Sequence, residues 1–69
     1  MIKSVKWKNK ILLLKSISNQ ELKVINKLNL TEQYNKYLNL IINEKLKVND
    51  FTGNIKELQS LVALIKEEY

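Results

Sequence analysis

Apolar and polar positions along the chain follow a helical period in three segments. The first segment begins with a capping box from Ser18 to Glu21, in which the serine hydroxyl accepts a backbone N–H and the glutamate reaches back. Projected at about 100° per residue, the apolar side chains that follow fall within one arc: Leu22, Val24, Ile25 and Leu28. The pattern predicts a short helix over residues 19–29.

The second helical pattern covers residues 32–48. Thr31 is a suitable N-cap, and Glu32 puts a negative charge in the first turn, where the helix dipole favours it. One half of the helical wheel is apolar or aromatic and holds Tyr34, Tyr37, Leu38, Ile41, Ile42, Leu46 and Val48. The other half is polar and holds Lys36, Asn39, Asn43 and Lys47, with Leu40 pointing outward among them.

The third predicted helix covers residues 51–68 and follows a polar turn segment that contains the only glycine, Gly53. Either Asp50 or Thr52 can cap it. Its apolar residues alternate at spacings of four and three, as in a heptad repeat: Phe51, Ile55, Leu58, Val62, Ile65 and Tyr69. This heptad seam also makes the segment over residues 51–69 a candidate for pairing two copies of the chain.

The N-terminal element, residues 1–17, has no clean apolar face on a helical wheel because lysines interrupt it. As a strand it alternates, with Val5 and Trp7 on one side and lysines on the other. A turn at residues 8–10 would close a β-hairpin over residues 2–17, since asparagine tolerates the left-handed backbone conformation. We favour an all-helical chain and keep helices plus this hairpin as the alternative.

Length and composition indicate one small domain over residues 1–69, mainly α and built as a compact bundle of three or four short helices. Cysteine and histidine are absent, which excludes disulfides and the usual zinc sites. Packed apolar side chains must therefore stabilise the fold. The longest apolar run, Ile11–Leu14, is far shorter than the roughly 20 residues of a membrane-spanning helix and too short for a signal peptide. We expect a cytoplasmic protein that does not act at membranes.

The net charge of +5 is concentrated near the N-terminus, where residues 1–27 hold seven of the twelve lysines and one glutamate. Such a basic segment favours an acidic partner. A tryptophan among lysines, two tyrosines beside an apolar seam and an outward leucine are features of protein-binding surfaces. The candidate partner-binding residues are Lys6, Trp7, Lys8, Lys10, Tyr34, Tyr37 and Leu40.

Enzymatic chemistry has little support. Histidine, the commonest general base, and cysteine, a strong nucleophile, are absent, and the seven carboxylates lie scattered on polar faces or at helix ends. The chain also lacks a glycine-rich phosphate loop. We therefore expect neither catalysis nor a cofactor or metal ion.

A helix-turn-helix is the main alternative, because a short helix, a break and a longer helix occur in that order. Its outer face would use Lys36, Asn39, Asn43 and Lys47, since asparagine pairs with adenine and lysine with phosphate. Against it, Glu32 and Glu44 would face the negatively charged duplex, and arginine is absent.

We favour a small regulatory or inhibitory protein that binds another protein, of the kind that phages and other mobile elements encode.

Overall fold

In a computed structural model, which describes residues 3–69, an N-terminal β-hairpin precedes three α-helices. The hairpin consists of β1 and β2, and a short 3-10 turn lies before the last helix. The bounds are β1 Lys3–Trp7, β2 Lys10–Leu14, α1 Asn19–Asn26, α2 Leu30–Asn39, the 3-10 turn Val48–Phe51 and α3 Ile55–Glu67. The mainly α prediction is confirmed. The all-helical form of the N-terminal element is wrong, because residues 3–14 form the hairpin; residues 1 and 2 of the predicted range lie outside the described part.

The hairpin closes through a two-residue turn at Lys8 and Asn9. Both residues have positive φ, 49° and 61°, which is the signature of a type I′ turn, whose twist matches that of the flanking strands. Asparagine tolerates this conformation well, as the sequence predicted. Lys10 is already part of β2 and pairs with Trp7.

One face of the hairpin packs on the helices and contributes to the core. Val5, Leu12 and Leu14 are buried on this face, and β1 packs against α3. Trp7 is half-buried against the core, with its ring centroid 6.0 Å from that of Phe51. A lone two-stranded hairpin is marginal in water, so this packing is what stabilises it.

The heptad seam of the last helix is used inside the molecule. Leu58 and Ile65 are fully buried and Val62 is 2% exposed, while Ile55 at the helix start is half exposed. The predicted surface for pairing two copies is therefore largely occupied by the protein's own core. No helix within residues 3–69 is long and apolar enough to cross a bilayer.

Helix α2 ends at Asn39, so the predicted extension to residue 48 is wrong. Beyond Asn39 the chain leaves the helix and lies antiparallel to β2, with a bridge between Leu14 and Ile41. Leu40, predicted to point outward, is 7% exposed. The physical reason is competition: the open edge of β2 offers hydrogen bonds that residues 40–43 make in place of further helical ones.

Two of the predicted helix starts also differ. The Ser18 hydroxyl accepts the backbone N–H of Glu21 at 3.1 Å, which confirms the first cap. Asn29, not Thr31, caps α2 by accepting the Glu32 N–H at 2.9 Å, and this ends the first helix early. Helix α3 begins at Ile55, after the 3-10 turn, with neither Asp50 nor Thr52 at its cap.

Candidate binding surface on the hairpin

One edge of the sheet is closed by the segment after α2. The Lys15 N–H donates to the Leu40 carbonyl at 2.8 Å, and the Ile42 N–H donates to the Leu13 carbonyl at 2.7 Å. These two bonds flank an isolated antiparallel bridge between Leu14 and Ile41, so residues 40–42 lie along β2.

The side-chain amide of Asn43 continues the pairing along this edge of β2. Its Oδ1 accepts the Leu13 N–H at 2.9 Å, and its Nδ2 donates to the Ile11 carbonyl, also at 2.9 Å. The amide thus satisfies two main-chain groups that a longer strand would otherwise pair. Asn43, predicted to contact a base, instead holds the sheet together.

Asn43→Ala is expected to lower the free energy of unfolding by about 1–2 kcal/mol, because it leaves two β2 main-chain groups to water or unpaired. Asn39→Ala is the matched control: Asn39 is exposed at the end of α2, so its loss should cost less than about 0.5 kcal/mol. Urea denaturation of both variants measures the difference. Equal costs would contradict the structural role of Asn43.

The outer sheet face, defined here as Lys6, Ile11, Leu13 and Ile42, lies opposite the core. Ile11 is 61% exposed and Ile42 50% exposed, and Leu13 is half-buried. Lys6 pairs across the hairpin with Ile11. Ile42 lies beside Leu13 through its main-chain bond. The outer sheet face therefore presents a group of apolar side chains to solvent, next to a lysine.

Of the lysines predicted to contact a partner, two are engaged within the molecule. Lys8 forms an ion pair with Glu57 and lies over the Trp7 ring, 5.1 Å from its centroid. Lys10 pairs with Glu44 at 3.2 Å. Lys6 is exposed and has no acidic side chain within ion-pairing distance among residues 3–69. Of these three lysines, Lys6 is therefore the one whose charge can interact with a partner.

The other predicted partner residues lie in or against the core. Tyr37 is 1% exposed, its hydroxyl donates to Asn26 Oδ1 at 2.8 Å, and the Lys66 ammonium lies 5.4 Å from its ring centroid. Burial raises the pKa of Tyr37. Tyr34 is half-buried against the core, and Leu40 is buried. The structure does not bring these residues to the outer sheet face.

The four residues predicted to contact nucleic acid do not share a helix face. Lys36 and Asn39 are exposed on α2. Asn43 is bonded to β2, and Lys47 lies after the helix, where its N–H donates to Asp50 Oδ2 at 2.9 Å. The predicted recognition helix of 17 residues is in fact the ten-residue α2.

The exposed apolar residues of the outer sheet face were missed because all four residues of Ile11–Leu14 are apolar. The sequence therefore does not show which of them face the core and which face solvent. Four apolar residues in a row read equally well as a buried strand, although only Leu12 and Leu14 face the core. The available signal lay in the hairpin register, since a turn at Lys8 and Asn9 sets Ile11 opposite Lys6.

The described residues hold no group of three or more acidic, histidine or cysteine side chains placed to bind a metal ion. Comparison with family models, with curated proteins and with solved structures finds no match to this chain.

Proposed function

We propose that this chain is a small non-enzymatic protein that regulates or inhibits another protein by binding it through the outer sheet face. The observation that carries the proposal is the grouping of exposed Ile11 and Ile42 beside Lys6, which forms no ion pair with any of the described residues. Exposed apolar side chains that lie together with a charged rim are typical of interaction surfaces.

The size of the molecule fits binding through one whole face. A standard protein interface buries about 800 Å² on each partner, and this chain exposes 5041 Å² in total. A partner of ordinary affinity would therefore cover the outer sheet face together with its margins. The net charge of +5 favours a partner whose docking surface is acidic. We place the interaction in the cytoplasm and keep a phage or mobile-element origin as part of the proposal.

Capture from a lysate of the source cells, with matched variants, tests the proposal. Ile11→Glu/Ile42→Glu should lose the captured protein, with affinity reduced about tenfold or more, because it removes apolar contact and repels an acidic surface. Val24→Glu/Leu30→Glu is the control, since Val24 and Leu30 are 61% and 58% exposed on the helices, and it should bind as the wild type does. Equal capture by both double variants would refute the outer sheet face as the site.

Charge needs a separate variant. Changing Lys6, Lys8 and Lys10 together would break two ion pairs, so Lys6→Glu alone is the cleaner change, with Lys23→Glu as its exposed control.

Retention of the wild type on random-sequence DNA, with affinity falling steeply as salt rises, would instead support the nucleic-acid alternative through Lys36 and Asn39.

A further inference from the structure

No segment within residues 3–69 pairs with the second edge of the sheet, which β1 forms. The turn at Lys8 and Asn9 makes Trp7 and Lys10 a hydrogen-bonded pair, and such pairs alternate along an antiparallel ladder. The pairs that Val5 forms with Leu12 and that Lys3 forms with Leu14 are therefore also hydrogen-bonded. The N–H and C=O groups of Ser4 and Lys6 must then point away from β2.

The opposite edge supports this assignment. On β2 and the residue after it, the main-chain groups that point outward belong to Ile11, Leu13 and Lys15, and all three residues bond to the segment after α2. These residues alternate with Leu12 and Leu14, which face β1. By the same alternation the outward groups on β1 are those of Ser4 and Lys6, and no backbone bond joins either residue to another part of the described chain.

The side chains along this edge select what can pair with it. Lys3, Ser4 and Lys6 are all exposed, and the acid beside the turn, Glu57, is paired with Lys8. Lysines on an edge strand oppose pairing with a like edge. Two copies of β1 aligned edge to edge would bring lysines together, which disfavours a homodimer through this edge. A strand that carries carboxylates would instead be attracted.

We propose that β1 accepts an extended acidic segment of the partner as an added antiparallel strand. Its main chain bonds to the outward groups of Ser4 and Lys6, and the carboxylates on its outer face lie beside Lys6. The side chains of the added strand that share a face with Lys6 would continue the outer sheet face. The inference rests on the proposed function and specifies how the partner is held.

Amide hydrogen exchange of the wild-type protein tests the strand addition directly. The probe is a capped octapeptide in which glutamate alternates with valine, and the control probe replaces each glutamate with lysine. At millimolar glutamate peptide, the exchange of the Ser4 and Lys6 amides should slow by about tenfold or more, because both gain a carbonyl acceptor. Lack of binding, or binding that leaves both amides at their free rates, would overturn the inference.

Lys6→Pro supplies the mutational test. Proline lacks an N–H, yet the Lys6 N–H takes no part in the hairpin, and the strand conformation of Val5 suits a residue before proline. The variant should fold, as judged by circular dichroism, and lose about tenfold or more in affinity for the glutamate peptide. Lys6→Gln keeps the N–H and should lose about threefold. Equal affinities for the two variants would show that charge alone is recognised.

The two proposals can fail separately. If folded Lys6→Pro still captures the cellular partner while Ile11→Glu/Ile42→Glu does not, the outer sheet face binds but strand addition is wrong. If neither variant changes capture, the proposed function is wrong as well. A dimer of the wild type that Lys6→Pro abolishes would identify a second copy, not an acidic segment, as the added strand.

Discussion

Trp7→Ala is expected to lower the free energy of unfolding by about 3 kcal/mol, the lower part of the range for removing a large aromatic side chain from a core. Trp7 is half-buried, packs on Phe51 and lies under the Lys8 ammonium. A domain of this length has a total stability of roughly 5 kcal/mol. About 2 kcal/mol would then remain, so the variant should still fold but melt more than about 10 °C below the wild type, which thermal denaturation by circular dichroism measures.

Trp7→Phe is the matched control, since it keeps an aromatic ring against Phe51 and should cost less than half as much. If Trp7→Ala keeps the melting temperature of the wild type, the tryptophan does not anchor the hairpin. Its place among the lysines would then indicate a role in binding. The comparison thus separates a structural tryptophan from an interfacial one.

Leu12→Ala is expected to cost about 3 kcal/mol, whereas Ile11→Ala should cost less than about 0.5 kcal/mol. The two residues are neighbours in the chain, but Leu12 is fully buried and Ile11 is 61% exposed. Truncating Leu12 leaves a cavity against the helices. Truncating Ile11 leaves none, because most of its side chain is already in contact with water. Urea denaturation of the two variants therefore reports which face of β2 is the inner one.

The register of the hairpin depends on this result. A slip by one residue would exchange the two faces and bury Ile11 in place of Leu12. Similar costs for the two variants would contradict the pairing of Lys6 with Ile11 and remove the outer sheet face as a coherent surface. A large cost for Ile11 alone would mean that the slipped register is the native one.

The distribution of charge on the hairpin explains why a basic cluster need not be a basic binding site. Lys8 and Lys10 contact Glu57 and Glu44, so they join the hairpin to the rest of the molecule. Exposed ion pairs contribute at most about 1 kcal/mol each, and their main effect here is to leave Lys6 as the unpaired charge beside Ile11. Binding energy at such a surface comes chiefly from apolar contact, and charge selects the partner.

How far the sequence predicts this fold depends on the range over which each interaction acts. The cap at Ser18 and the turn at Asn9 are local, since each is determined by residues within a few positions; the cap was predicted correctly, and the turn belonged to the hairpin alternative. The heptad seam correctly indicated α3, because a sustained apolar period leaves a helix few alternatives. The outer sheet face was not predicted, because Ile42 follows α2 in the chain and is brought beside β2 only by the tertiary structure.

Local pattern by itself determined a mainly helical chain with a cap at Ser18, a turn-forming Asn9 and one apolar face on the last helix. Tertiary structure alone decided that the N-terminal element is a hairpin and that α2 stops at Asn39. The physical reason is the same in both cases. Strand β2 has an open edge and an apolar face, and only distant residues, the helices and the amide of Asn43, satisfy them.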